Sequence, residues 1–170
     1  MIKQPSELAA LIAAVEIKNV RLVETSAKTN IHSPSEVGKT VGCSIDTSTH
    51  VKNVLSSPPS FCVIASMHFR LGGDKPEAEP AVSVKASFEL EYQLPSGFTV
   101  KQKELNDFAE INSVFNAWPY WREYIQNVFS RMNLPPMTLP LYRLKEGVLA
   151  STKLASLPKT TGRKSRSKPS

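Results

Sequence analysis

Residues 82–92, Val-Ser-Val-Lys-Ala-Ser-Phe-Glu-Leu-Glu-Tyr, alternate without a break between apolar and polar side chains. A strand sends successive side chains to opposite faces, so Val82, Val84, Ala86, Phe88, Leu90 and Tyr92 share one face and Ser83, Lys85, Ser87, Glu89 and Glu91 the other. One face packs and one meets water, the habit of an antiparallel sheet rather than of a parallel sheet covered on both sides. Residues 61–71 repeat the pattern, with Phe61, Val63, Ala65, Met67, Phe69 and Leu71 against Cys62, Ile64, Ser66, His68 and Arg70. Upstream, residues 40–54 alternate imperfectly through Val41, Cys43, Ile45 and Val51, which predicts one long, bulged strand, and 17–27 reads as a strand of mixed polarity. Ser56–Pro59 reads as a turn, and the polar stretches 30–39 and 72–80 as loops. No helical crossover separates these strands, so the sheet is expected to be antiparallel and the fold class α+β.

After Pro95–Gly97 the period becomes helical. Leu105, Phe108 and Ala109 face one way while Glu104, Asp107 and Glu110 face another. A second helix is expected over 116–132, ended by Asn133, Pro135 and Pro136. Pro119 is placed in its first turn, where an N–H has no intrahelical acceptor in any case. A short N-terminal helix is expected to start at Pro5 with Ser6 as its cap, and to carry Leu8, Leu11, Ile12 and Val15 on one stripe. Leu134–Leu144 is apolar but holds Pro135, Pro136 and Pro140, so it is expected to lie extended against the body.

The 116–132 helix carries the functional signal. Trp118, Tyr120, Trp121, Tyr124, Ile125, Val128, Phe129 and Met132 spread over about half the helical wheel, whereas a surface helix needs an apolar stripe of only about 100° to cover its own core. Either the helix is fully buried between its sheet and the proline-rich segment, or one edge packs on the sheet and the other on a second subunit or an apolar ligand. Tyr and Trp suit the second arrangement because each joins a large apolar body to a polar tip.

The same residues carry a resemblance. Trp118-Pro119-Tyr120-Trp121-Arg122-Glu123 resembles the aromatic-Pro-Tyr-x-Arg-Glu helix start of the SecB family of export chaperones. Leu134-Pro135-Pro136-Met137-Thr138-Leu139 resembles that family's following apolar-Pro-x-Leu-x-Leu segment, at a matching separation. The specific likeness spans about residues 115–142, with a compatible strand order over 17–92. It implies a four-stranded antiparallel sheet with helices on one side, a homotetramer built as a dimer of dimers, and ATP-independent holding of unfolded polypeptide. It also implies a client groove, for which Phe115, Trp118, Tyr120, Trp121, Tyr124, Met137 and Leu139 are the candidates. SecB proteins of the housekeeping type are acidic and dock on the SecA motor partly through acidic sheet residues. The extra N-terminal helix and the Leu134-Pro135-Pro136 version resemble instead the SecB-like chaperones of toxin–antitoxin modules, which shield an antitoxin. SecA or an antitoxin is thus the implied partner beyond the client itself.

Charge and composition bound the remaining classes. The 170 residues carry 21 Lys and Arg against 15 Asp and Glu, a net charge of +6. Lys153, Lys159, Arg163, Lys164, Arg166 and Lys168 account for all of it, since 151–170 contains no acid. We therefore expect a neutral chaperone domain over 1–150 and a disordered basic tail over 151–170. The tail supports the alternative function, a nucleic-acid or anionic-surface binding module, although it lacks an aromatic residue for base stacking. Cys43 and Cys62 have no CxxC and no nearby His, and are expected to be buried thiols of a reducing, cytoplasmic protein. Leu8–Val15 is bracketed by Glu7 and Glu16 and is followed by no Ala-x-Ala pattern, so it reads as part of a mature soluble chain rather than a signal peptide. No stretch approaches the roughly 20 apolar residues of a membrane span. Gly38-Lys39-Thr40 ends like a phosphate loop but has Ser33 where the upstream glycine belongs. His32, His50 and His68 are scattered, without a Gly-x-Ser-x-Gly element or ligand spacing, so no enzyme activity, metal or cofactor is expected, and His68 reads as a sheet residue facing its neighbours.

Overall fold

The computed structural model describes residues 7–33, 42–72 and 79–142. The expected Ser6 cap, most of the 30–39 loop, the Gly38-Lys39-Thr40 element, most of the 72–80 connection, the end of the Leu134–Leu144 segment and the tail 151–170 lie outside the described residues. Element order is α1 (Glu7–Ala14), β1 (Glu16–Thr29), β2 (Cys43–Ser56), β3 (Pro59–Leu71), β4 (Val82–Gln93), α2 (Gln102–Phe108), a π-helical turn (Ala109–Ser113) and α3 (Val114–Arg131).

The four strands form one antiparallel sheet in the order β1-β4-β3-β2. Its centre is the pair whose alternation was cleanest. Phe61 lies opposite Tyr92, Ala65 opposite Phe88 and Leu71 opposite Val82, so the two apolar faces coincide and are buried together. The edge strands carry the irregularities. β1 is bulged between Ile17 and Asn19 and again between Leu22 and Glu24. β2 is bulged between Lys52 and Leu55, where Asn53 takes a positive φ of 53°. Each bulge locally disrupts pairing at an exposed edge, a common defence against edge-to-edge aggregation.

One face of the sheet is roofed by the helices. Phe61 stacks on Tyr92 at 5.1 Å, Phe108 meets both rings edge-on, and Phe69 meets Phe129 at 5.7 Å. α1 packs on α2 through Leu11, which is fully buried, and Lys101 grips the Glu7 carboxylate at 2.6 and 2.9 Å. Ile12, expected in the buried stripe, is 43% exposed. The stripe therefore packs through Leu8, Leu11 and Val15.

The other face is polar. Its most covered acid is Glu89, on the central β4, reached by Arg21 from β1 with Nε at 2.8 Å and by Lys52 from β2. The Lys52 ammonium, and then Arg21, hold its carboxyl below the ordinary value of 4.5 against the opposing effect of burial. Two cations from opposite edges thus converge on one carboxylate.

The helical region differs from the expectation at one point. α2 and α3 are joined through the π-helical turn rather than starting separately, so Pro119 lies inside α3 and not in a first turn. Its missing N–H leaves the carbonyl of Phe115 without its helical donor. Beneath the turn, the buried Tyr92 hydroxyl donates to Ser113 Oγ at 3.2 Å and accepts from Asn116 Nδ2 at 3.2 Å. Burial pushes the Tyr92 phenol up, partly offset by those two partners. Asn133 ends the helix as expected: at φ 55° it lets the Leu134 amide turn back to the Phe129 carbonyl at 3.0 Å.

Candidate functional site

α3 presents three flanks. Trp121, Ile125 and Phe129, spaced at i, i+4 and i+8, point into the sheet and are fully buried. The Trp121 ring meets Phe88 edge-on at 5.7 Å. On the β1 side, Tyr120 lies over Phe88 at 6.0 Å and is 44% exposed, while the Tyr124 hydroxyl bonds Thr25 Oγ1 of β1. Beyond them, Leu22 and Ile17 of the bulged β1 are exposed on the same face of the sheet.

The opposite flank is covered by residues 134–142, which run antiparallel to the helix as a strap. Gln126 Nε2 donates to Thr138 Oγ1 at 2.9 Å, Arg122 Nε to the Leu139 carbonyl at 2.8 Å, and Trp118 Nε1 to the Pro140 carbonyl at 2.8 Å. The prolines explain this use of side-chain donors. A segment with Pro135, Pro136 and Pro140 has few backbone N–H groups to offer a ladder, but its carbonyls remain free to accept. The strap ends with Tyr142 at 5.0 Å from Trp118 and 6.4 Å from Phe115.

The polar face of the sheet holds an open cleft of about 320 Å³, lined among others by Glu24, Asp46, Ser48, Ser66, His68, Lys85 and Ser87. His68 Nε2 lies 2.9 Å from Ser83 Oγ, a nucleophile–base spacing, and burial, then Arg70 and Lys85, hold its imidazole below 6.5. The rest of a triad does not assemble. Asp46, opposite His68 in the register, is bonded by Arg70 instead. Ser83 also sits within a paired strand whose amides are spent on neighbours, so the backbone supplies no oxyanion hole there. Ser66 and Ser87 bond each other at 2.8 Å. Among the described residues no group of three His, Cys, Asp or Glu side chains could hold a metal, and no helix is long and apolar enough to cross a membrane. Cys43 and Cys62 are free and half-buried, and burial raises both thiols.

A long helix with aromatic side chains on both flanks and an extended strap is the geometry that the residues of 115–142 suggested. No protein-family model matches the sequence. It is 26% identical over 147 residues, covering 78% of this chain and 80% of the other, to the SecB-like chaperone Rv1957 of Mycobacterium tuberculosis strain H37Rv. The chain is similar to the SecB-like chaperones. The same values relate it to the SecB-like chaperone MT2006 of strain CDC 1551. The solved structure of Rv1957, in complex with a ChAD peptide from the Rv1956 HigA1 antitoxin, superposes with a TM-score of 0.68 at 23% identity, over 80% of this chain and 96% of that one. The four-stranded antiparallel sheet, the helices on one side and the N-terminal helix are thus a SecB-like fold.

Within that fold the seven candidate groove residues part company. Trp121 and Leu139 are 0% and 1% exposed, and Trp118 only 5%. These three are core and strap contacts that no incoming chain touches without opening the helix, because their rings and branches fill the space between α3, the sheet and the strap. Phe115 and Tyr120 are the two that stand out into solvent, and Tyr124 and Met137 are half-buried. Phe115 and Tyr120 are not brought together: five residues rotate a helix by about 140°, which puts them on different flanks. Sequence reasoning missed Ile17, Leu22 and Val23 of β1, and Leu141 of the strap, all exposed. The adjacent apolar pair Leu22-Val23 was the available signal, since two neighbours of a regular strand cannot share a face.

Proposed function

We propose that this protein is an ATP-independent holdase that keeps an unfolded or aggregation-prone polypeptide soluble by holding its apolar segments along α3 and the strap. The observation that carries the reading is the half-exposure of Phe115 and Tyr120 on a helix whose inner face is already filled by Trp121, Ile125 and Phe129. Large aromatic rings left half in water after the core is complete offer apolar area that a bound chain can cover. Phe115, Tyr120, Tyr124 and Met137 form the contact surface, with Trp118, Trp121 and Leu139 positioning them from below. The similarity to a SecB-like chaperone supports this reading, and the antitoxin peptide bound by that relative favours a dedicated antitoxin client over preproteins for export. The neutral charge of 1–150 also argues against docking on SecA through an acidic sheet.

We further propose that the chain works in the cytoplasm as a homotetramer, a dimer of dimers. The exposed apolar residues Ile17, Leu22 and Val23 on the free edge strand β1 support self-association. The test is dilution of a denatured model protein into buffer with this protein and no ATP, with mass measured in parallel by light scattering. Suppressed aggregation by a tetramer is expected; a monomer that leaves aggregation unchanged refutes the reading. The basic tail keeps the nucleic-acid alternative as a second arm: loss of duplex binding on deleting 151–170, with holding intact, would make the tail an accessory.

A further inference from the structure

Leu11 fills a place in the core that is closed by a helix of only eight residues, α1. Leu11 is the one α1 side chain that is fully buried; Leu8 and the following Val15 are half-buried against the core, and Ile12 is 43% exposed. The polar tie of α1, Glu7 to Lys101, joins side chains that are 65% and 73% exposed, where an ion pair shifts an equilibrium by a few-fold at most. A helix this short is marginal by itself, because its first turn fixes several residues for one hydrogen bond. Burying one leucine side chain multiplies the seated population by about 10 to 100, and the half-buried pair and the ion pair bring the total to about 100 to 1,000. The unseated state is then populated at about 0.1–1%, against about 0.02% or less for global unfolding of a domain of ordinary stability. What α1 uncovers on leaving is an apolar seat beside α2, whose Phe108 packs edge-on against Phe61 and Tyr92, with Lys101 at the rim.

We propose that α1 is a displaceable plug and that its seat is a second client site, one that takes an amphipathic helical segment with apolar residues at the spacing of Leu8, Leu11 and Val15 and an acid just before the first of them. The occupant is read from α1 itself, which presents that pattern to the body and gives its Glu7 carboxylate to Lys101. A helix laid in a groove is recognised by such i, i+3, i+7 anchors. The plug can leave without disturbing the sheet, because Val15 alone joins Ala14 of α1 to Glu16, the first residue of the β1–β4 ladder. The opening is a property of this chain; that the incoming segment belongs to a client rests on the holdase reading. The tether sets the threshold. A short linker holds α1 at an effective concentration in the millimolar range, so a competing segment must be abundant, or must bind better than α1 does.

The test combines amide hydrogen exchange with binding of a fluorescently labelled peptide of residues 7–16, both on the full chain. The amides of Leu11–Val15 are expected to be protected by about 100- to 1,000-fold and to exchange at least tenfold faster than those of β4. The peptide is expected to bind the parent only near millimolar concentration, and the Leu11→Ser chain about 10- to 100-fold more tightly, because the plug has lost its anchor. The same peptide with serine in place of Leu11 is expected not to bind. Glu7→Gln leaves the core intact and, should Leu11→Ser fail to fold, carries the test through exchange of α1 that is faster by a few-fold. A denatured model protein is expected to displace the peptide from the Leu11→Ser chain. Exchange of α1 as slow as that of β4, no gain in peptide affinity on unseating the plug, or a client that binds without displacing the peptide overturns the proposal. If no client binds at all, the holdase reading falls and the seat loses its client with it, while exchange and peptide binding still decide whether α1 opens.

Discussion

Replacing Trp121 and, separately, Tyr120 with alanine separates the side chains that build α3 from those that serve it. Trp121 is fully buried, with its ring edge-on to Phe88 and 6.3 Å from Tyr124. Truncating a buried Trp costs about 3–5 kcal/mol, because the lost transfer energy is joined by the cavity left behind. For a chain of this size that is a fall in Tm of about 6–20 °C, a large part of a total stability of about 5–15 kcal/mol. Tyr120, next in sequence, is 44% exposed. An aromatic side chain of about 200 Å² then leaves about 90 Å² in water, and a client that covers it gains at most about 2 kcal/mol, or about thirtyfold in Kd. Tyr120→Ala is expected to cost only about 1–2 kcal/mol of stability but to weaken client binding by up to that factor. Urea denaturation followed by far-UV circular dichroism reads the first quantity, and anisotropy of a labelled denatured client reads the second. The reasoning is refuted if Trp121→Ala melts within a few degrees of the parent, or if Tyr120→Ala binds the client unchanged.

Three further outcomes follow from single contacts. Glu89 has its carboxyl held below 4.5 by Lys52 and Arg21, so its contribution is complete above that pH and is lost as pH falls through the lower, folded-state value. Acid unfolding should therefore be flatter in Glu89→Gln than in the parent below about pH 4.5, and parallel curves would count against the clamp. Tyr92→Phe strips Ser113 and Asn116 of their shared partner. A loss of about 1 kcal/mol is expected, seen as a Tm lower by about 2–4 °C; no change would mean that the π-helical turn does not depend on the hydroxyl. Pro119→Ala restores the donor that the Phe115 carbonyl lacks and should raise Tm, by an amount bounded by the roughly 3 kcal/mol that proline costs in a helix interior. A lower Tm in calorimetry would show that the proline is needed to seat α3 on the sheet.

The elements of this fold are local properties, and the sequence declares them. β3 and β4 alternate over their whole length because each has one face in the core and one in water, and period 2 is visible without knowing any partner. The switch to helical spacing after Gly97, the stop at Asn133 and the bulged character of β2 are equally local. The resemblance carried by 118–123 and 134–139 likewise lies in residue order, and with it the SecB-like fold. The order β1-β4-β3-β2 is not local. β1 pairs with a strand more than fifty residues later rather than with its neighbour β2, and a strand's own side-chain pattern does not name the strand it will pair with. The same limit governs the site. Sequence marked Phe115, Trp118, Tyr120, Trp121, Tyr124, Met137 and Leu139 as one aromatic and apolar constellation, since packing and binding draw on the same side chains. Only the tertiary structure, by laying the sheet under Trp121 and packing the strap, Leu139 included, against the Trp118 flank of α3, determined which side chains the core consumes and left Phe115 and Tyr120 facing solvent.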